Sequence, residues 1–139
     1  MSRENVEFVR SICEPWARGD FDPADWAHPD IEYVIAGGPT PESWTGLAGL
    51  AEGWRNFLSA WDDYSAEAED YLEIEGERVL VLNRFSGRGS SSGVDLSRMP
   101  SRGANLFEIR EGKVIRLVTY LDRDQALEAV GLREPGGPA

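Results

Sequence analysis

Cysteine and histidine are all but missing from this chain: Cys13 and His28 are the only ones among 139 residues. A single thiol closes no internal disulfide, so the expected setting is a reducing one, the cytoplasm. One histidine cannot build a metal centre, which needs several ligands at workable spacing, and His28 stands before Pro29, where a turn or capping role suits it. Neither a metal nor a cofactor is expected. Positive charge is scarce as well. Fourteen Lys and Arg stand against 25 Asp and Glu, a formal charge of −11. That field repels phosphate backbones and anionic bilayers, which argues against nucleic acid and membrane as partners. No apolar run approaches the length of a membrane span, and the opening MSRENVEF has none of the signal-peptide kind. Gly87-x-Gly89 is followed by a strand pattern where a phosphate-binding helix would have to begin, so it is no dinucleotide fingerprint. Cys13 lies on the apolar side of a helix, and Ser90, Ser91 and Ser92 sit between glycines. Neither group reads as a nucleophile.

What is present is enough for one folded unit. With 41% hydrophobic residues the chain can close a single core and not two, giving one domain over residues 1–132 and a frayed tail over 133–139. Ser2 caps a first helix with Phe8, Val9, Ile12, Cys13 and Trp16 on one side, ending near Arg18 after Pro15 removes a backbone donor. Asp22-Pro23 starts a short second helix through Trp26. Ile31 to Ile35 reads as a strand and Gly37 to Ser43 as a loop that delivers Trp44 to the next helix. Leu47, Leu50, Trp54, Phe57, Leu58 and Trp61 recur at three- and four-residue steps, a wide aromatic stripe that must be buried. Tyr64 to Ile74 and Arg78 to Gly87 form two strands joined at Glu75-Gly76, with Val79 to Leu82 covered on both sides. Pro100 and Gly103 mark an edge or bulge.

The stretch from Asn105 to Leu132 carries the most information. Asn105, Phe107 and Ile109 alternate with Leu106, Glu108 and Arg110, and Ile115, Leu117, Thr119 and Leu121 alternate with Val114, Arg116, Val118 and Tyr120. Glu111-Gly112 turns the chain between them. Asp122 then fits a helix N-cap with Gln125 three positions on, and Gly131 follows that helix where a left-handed cap belongs.

This block resembles the end of the nuclear transport factor 2-like superfamily, in particular its small bacterial SnoaL-like members. Arg18-Gly19-Asp20, His28-Pro29-Asp30-Ile31-Glu32, Thr45-Gly46 and the Gly87 to Val94 segment occur in the order that the resemblance requires. It implies an α+β cone: a strongly curved, mixed antiparallel sheet wraps about three N-terminal helices, with a short C-terminal helix beyond. The open end of the cone is a pocket. Tyr33, Trp44, Trp54, Leu58, Trp61, Arg84, Asn105, Phe107 and Thr119 are the pocket residues expected on this layout. A small, mainly apolar molecule is the expected ligand.

Catalysis by related folds depends on carboxylates or tyrosines inside the cone. Where ketosteroid isomerases carry a tyrosine, a base and a second acid, this chain matches Ile12, Ile35 and Ala104. Where limonene epoxide hydrolases carry an arginine and two aspartates, it matches Arg78, Leu80 and Thr119. The remaining candidates are Arg84, Tyr33, Asn105 and Asp122. Arg84 shares a strand face with Arg78, Leu80 and Leu82; if that face is concave, Arg84 either pairs with a carboxylate such as Glu32 or offers its fork of donors to a ligand. Asp122 is first of all a helix cap. Two functions fit the resemblance: a pocket protein, with or without cofactor-independent isomerase, cyclase or hydratase activity, or a non-catalytic module with a packed cone. Under both, a homodimer through the outer row Val114, Arg116, Val118 and Tyr120 is expected.

Overall fold

The computed structural model describes residues 2–18, 26–36, 42–59, 61–74, 77–89, 102–120 and 122–131. The elements follow one another as α1 (Ser2–Trp16), β1 (Ala27–Ala36), β2 (Glu42–Thr45), α2 (Gly46–Ser59), β3 (Trp61–Ile74), β4 (Arg78–Gly89), β5 (Arg102–Arg110), β6 (Lys113–Tyr120) and α3 (Arg123–Ala129). The strands form one open six-stranded sheet in the order β2-β1-β6-β5-β4-β3. All neighbours are antiparallel except β1 and β6, which run parallel, so the sheet is mixed as expected. The short helix at 22–26, the turn at Glu75-Gly76, Ser90 to Ser92, Pro100, Leu121 and the 133–139 tail lie outside the described residues, Trp26 excepted.

Each face of the sheet has its own core. On the inner face, α1 contributes Val9, Ile12, Cys13 and Trp16 and α2 contributes Leu50 and Trp54. They meet Ile31, Tyr33 and Ile35 of β1, Val79, Val81 and Phe85 of β4, and Phe107, Ile109, Val114 and Leu117 of β5 and β6. On the outer face α3 sets Ala126 and Leu127 against Leu80, Leu82, Ala104, Leu106 and Val118. The unbroken run Val79 to Leu82 is therefore buried from both sides. Asp122 caps α3 by accepting from the Asp124 amide at 3.0 Å, not from Gln125. Glu111 and Gly112 both have positive φ, 54° and 76°, the conformation a two-residue hairpin turn demands and glycine adopts without strain.

Several boundaries differ from the sequence expectation, each for a physical reason. Trp44 belongs to β2, which pairs with β1 across Tyr33 and Trp44, so Glu42 and Ser43 lie in a strand where a loop was expected. Four residues are too few for alternation to register. The aromatic stripe overruns its helix: α2 ends at Ser59 and Trp61 opens β3. β1 begins at Ala27, and its pairing to β6 slips between Ala27 and Glu32, where Pro29 has no amide to donate. The Asp30 amide instead donates to His28 Nδ1 at 2.9 Å. Gly103 is neither at an edge nor in a bulge; β5 lies between β4 and β6.

The outer row must also be corrected. The β5–β6 register passes from Glu108 opposite Arg116 to Ile109 opposite Val114, leaving Ile115 as an extra residue. A bulge of one residue turns the preceding side chain to the other face. Val114 is consequently buried in the inner core, and Val118 is covered beside α3, only 3% exposed. Of the four residues expected on the outer surface, Arg116 is exposed and Tyr120 partly so.

Candidate functional site

The inner face between α2 and β1 is walled by aromatic rings. Tyr33 stacks on Trp44 with centroids 5.6 Å apart and meets Trp54 edge-on at 6.2 Å. Trp54 in turn contacts Trp16 at 5.3 Å and Trp26 at 5.7 Å, and Phe107 closes on Trp16 at 5.8 Å. Offset and edge-on ring pairs of this kind contribute roughly 0.5–1.5 kcal/mol each beyond their burial. The rings lie close to the helix because α2 carries glycine beneath them. A Cβ at Gly53 would stand 2.7 Å from the Trp44 ring and 3.0 Å from that of Tyr33.

Across this apolar wall runs a buried chain of polar side chains. The Trp54 indole and the Thr119 hydroxyl both hydrogen-bond the Tyr33 hydroxyl. Thr119 Oγ1 donates to Asn105 Oδ1 at 2.7 Å, Asn105 Nδ2 donates to Asn83 Oδ1 at 2.8 Å, and Asn83 Nδ2 reaches the Glu67 carbonyl at 3.5 Å. Strand register explains the alignment: Thr119 faces Asn105, Asn105 faces Val81, and Asn83 is two residues along β4 on the same side. Burial pushes the Tyr33 phenol up to about 12, partly offset by its hydrogen bonds to Thr119 and Trp54. Tyr33 is therefore a neutral hydroxyl at ordinary pH. Burial raises the Cys13 thiol too, which leaves it protonated and inert.

Among the described residues the buried polar side chains are Asn83, Asn105 and Thr119, and no carboxylate or cation joins them on the inner face. Tyr33, Trp54, Asn105, Phe107 and Thr119, all expected at the pocket, are brought together there, with partly buried Trp44 beside them. The side chains of Leu58 and Trp61 lie outside the described residues. Arg84 does not join them. Alternation along β4 sends Val79, Val81, Asn83 and Phe85 inward and Leu80, Leu82 and Arg84 outward, and Arg84 is exposed. It stands opposite Arg102, while Glu32 is held instead by Arg116 at 3.0 Å. Asp122 is exposed at the head of α3. Asn83 was missed, although one asparagine within VLVLNRF, in phase with Val79 and Val81, was the available signal. Among the described residues no group of three His, Cys, Asp or Glu could hold a metal ion.

A second cluster sits on the outer face. Glu69 is the extra residue where β3 bulges between Ala68 and Asp70. Arg123 Nη2 donates to Glu69 Oε1 at 2.5 Å and to the Asn83 carbonyl at 2.8 Å, which ties α3 to the strand that carries Asn83. The Arg123 hydrogen bond and charge, with lesser help from Arg102 and Arg84, hold the Glu69 carboxyl below its usual range. A depressed carboxyl contributes stability that is present above its unfolded pKa and disappears as pH falls through the folded one. Glu69→Gln is therefore expected to be less stable than the parent at neutral pH, with the gap narrowing to nothing in acid below the carboxylate range. Urea unfolding at a series of pH values measures it, and a gap constant with pH would contradict this account.

Among the described residues, an open mixed sheet with two helices on its inner face and one on its outer gives an α+β fold of the ketosteroid isomerase-like type. The SnoaL-like domain family matches residues 9–117, and the chain belongs to that family. No curated protein matches the sequence. Solved structures share the fold at low identity. A Catenulispora acidiphila protein of ketosteroid isomerase-like fold, in complex with trimethylamine, has TM-score 0.67 and 14% identity over 95% of this chain and 98% of its own. A candidate polyketide cyclase from Sinorhizobium meliloti has TM-score 0.62 and 22% identity over 86% and 98%. TerC, co-crystallised with polyporic acid, has TM-score 0.69 and 19% identity over 91% and 96%. Among the described residues no helix is long and apolar enough to cross a membrane.

Proposed function

We propose that this chain binds a small, mainly apolar molecule against the inner face, with Tyr33, Trp44, Trp54 and Phe107 as aromatic walls and Tyr33, Thr119 and Asn105 as its polar contacts. The observation that carries the reading is the buried chain from Trp54 through Tyr33, Thr119 and Asn105 to Asn83, set among rings. Apolar walls with a few aligned polar groups are the usual make-up of small-molecule sites, and SnoaL-like membership together with the polyketide cyclase-like neighbours supports it. Turnover, where it occurs, is cofactor-independent cyclisation or isomerisation. Asn105 then stabilises charge developing on a substrate oxygen, and Tyr33 serves as a proton donor, since its phenol is neutral.

Because Trp54 belongs to the wall, ligand entry changes its emission. Titration of the protein with a panel of polycyclic and aromatic metabolites is expected to give saturable quenching or a blue shift that Asn105→Leu or Thr119→Val weakens. Silence across the panel would remove the pocket and favour the packed, non-catalytic module. Self-association, proposed with the pocket and with the module alike, is a reading of its own and draws support from partly exposed Val34, Leu72, Ile74 and Tyr120 around α3. Sedimentation of the same samples reads the oligomeric state directly, and a single monomeric species would end that reading.

A further inference from the structure

We propose that Asn83 and Asn105 act together as a donor pair that reads a neutral acceptor oxygen, a ketone or ester carbonyl, on the ligand; this rests on the pocket reading above. The orientation of both amides follows from the end of the chain at Glu67, whose backbone carbonyl can only accept. Asn83 must turn its NH2 toward that carbonyl, so its oxygen faces Asn105, which must answer with its own NH2. Rotating either amide alone would set oxygen against oxygen or nitrogen against nitrogen.

Each amide carries two N–H groups, and the chain uses one from each. A buried N–H without an acceptor is costlier than a carbonyl with one idle lone pair, so the pair favours an acceptor over a donor. Charge works in the same direction. The buried polar set is Asn83, Asn105 and Thr119, with no cation among the described residues to face a carboxylate that has left water. Beside the pair, Gly103 stands opposite Asn83 with no side chain, and the Phe85 ring lies over it. That flat neighbour suits a carbonyl attached to a ring.

The test is a matched series on the full chain: naphthalene, 1-tetralone, 1-tetralol and 1-naphthoate, each titrated by tryptophan fluorescence. The ketone is expected to bind about tenfold more tightly than the alcohol or the hydrocarbon, the factor of one well-made hydrogen bond, and the carboxylate most weakly. Infrared difference spectra should show the carbonyl stretch of bound tetralone at lower frequency than in alkane solvent. Asn83→Leu and Asn105→Leu should erase the preference for the ketone. The ranking and the infrared shift need only the parent chain, so a variant that fails to fold leaves the test intact. Equal binding of ketone, alcohol and hydrocarbon would overturn the donor pair and leave the pocket standing. Failure of all four to bind would overturn both.

Discussion

Gly103→Ala is expected to be the most damaging small substitution in the chain. A Cβ at this position would lie 2.3 Å from the Tyr120 carbonyl oxygen and 2.4 Å from the Phe85 ring. The ring can move, but the carbonyl belongs to the neighbouring strand, where Ala104 pairs with Tyr120. Overpacking that has to shift backbone costs about 3 kcal/mol or more, a large share of the stability of a domain this size. Urea unfolding of Gly103→Ala beside Phe85→Ala and the double variant separates the two obstacles. If the backbone contact dominates, Phe85→Ala gives little relief to Gly103→Ala. Full relief would show that the ring alone requires the glycine.

Asn105→Leu is the second large effect. It keeps the volume but removes the acceptor for Thr119 and the donor for Asn83, both of which stay buried. Stranding two buried polar groups costs roughly 1–3 kcal/mol each, so a loss of about 3 kcal/mol is expected. Thr119→Val acts on the same chain, and the pair should be far from additive: once Asn105 is gone, replacing the stranded Thr119 hydroxyl with a methyl should cost little or restore some stability. A double-mutant cycle in urea measures this. Additive losses would mean that the residues do not act as one chain.

The contrast between these residues shows how far one-dimensional patterning reaches. Alternation assigned Phe107, Ile109, Leu117 and Thr119 to the inner face correctly, because β5 and much of β6 keep a strict period of two. The same rule failed at Val114, where Ile115 adds one residue to the strand. It grouped Arg84 with Leu80 and Leu82 correctly yet could not say which face of the sheet α1 and α2 cover. A strand pattern carries parity without direction, so the wrong face was open to Arg84 until the helices were in place. Trp61 shows a related limit, since its spacing from Trp54 and Leu58 continues a helical stripe past the helix end.

The sequence by itself determined the α+β composition, the hairpin at Glu111-Gly112 and the capped terminal helix. All of these follow from local periodicity and local backbone chemistry. Only the tertiary structure decided that Asn83, Asn105, Thr119, Tyr33 and Trp54 form one buried chain and that Arg84 stands outside it. These residues come from five separate elements, and their meeting depends on the parallel pairing of β1 with β6 and on the register of β4, β5 and β6. Register and sheet order are set by contacts between residues distant in sequence, and a local pattern carries no record of them.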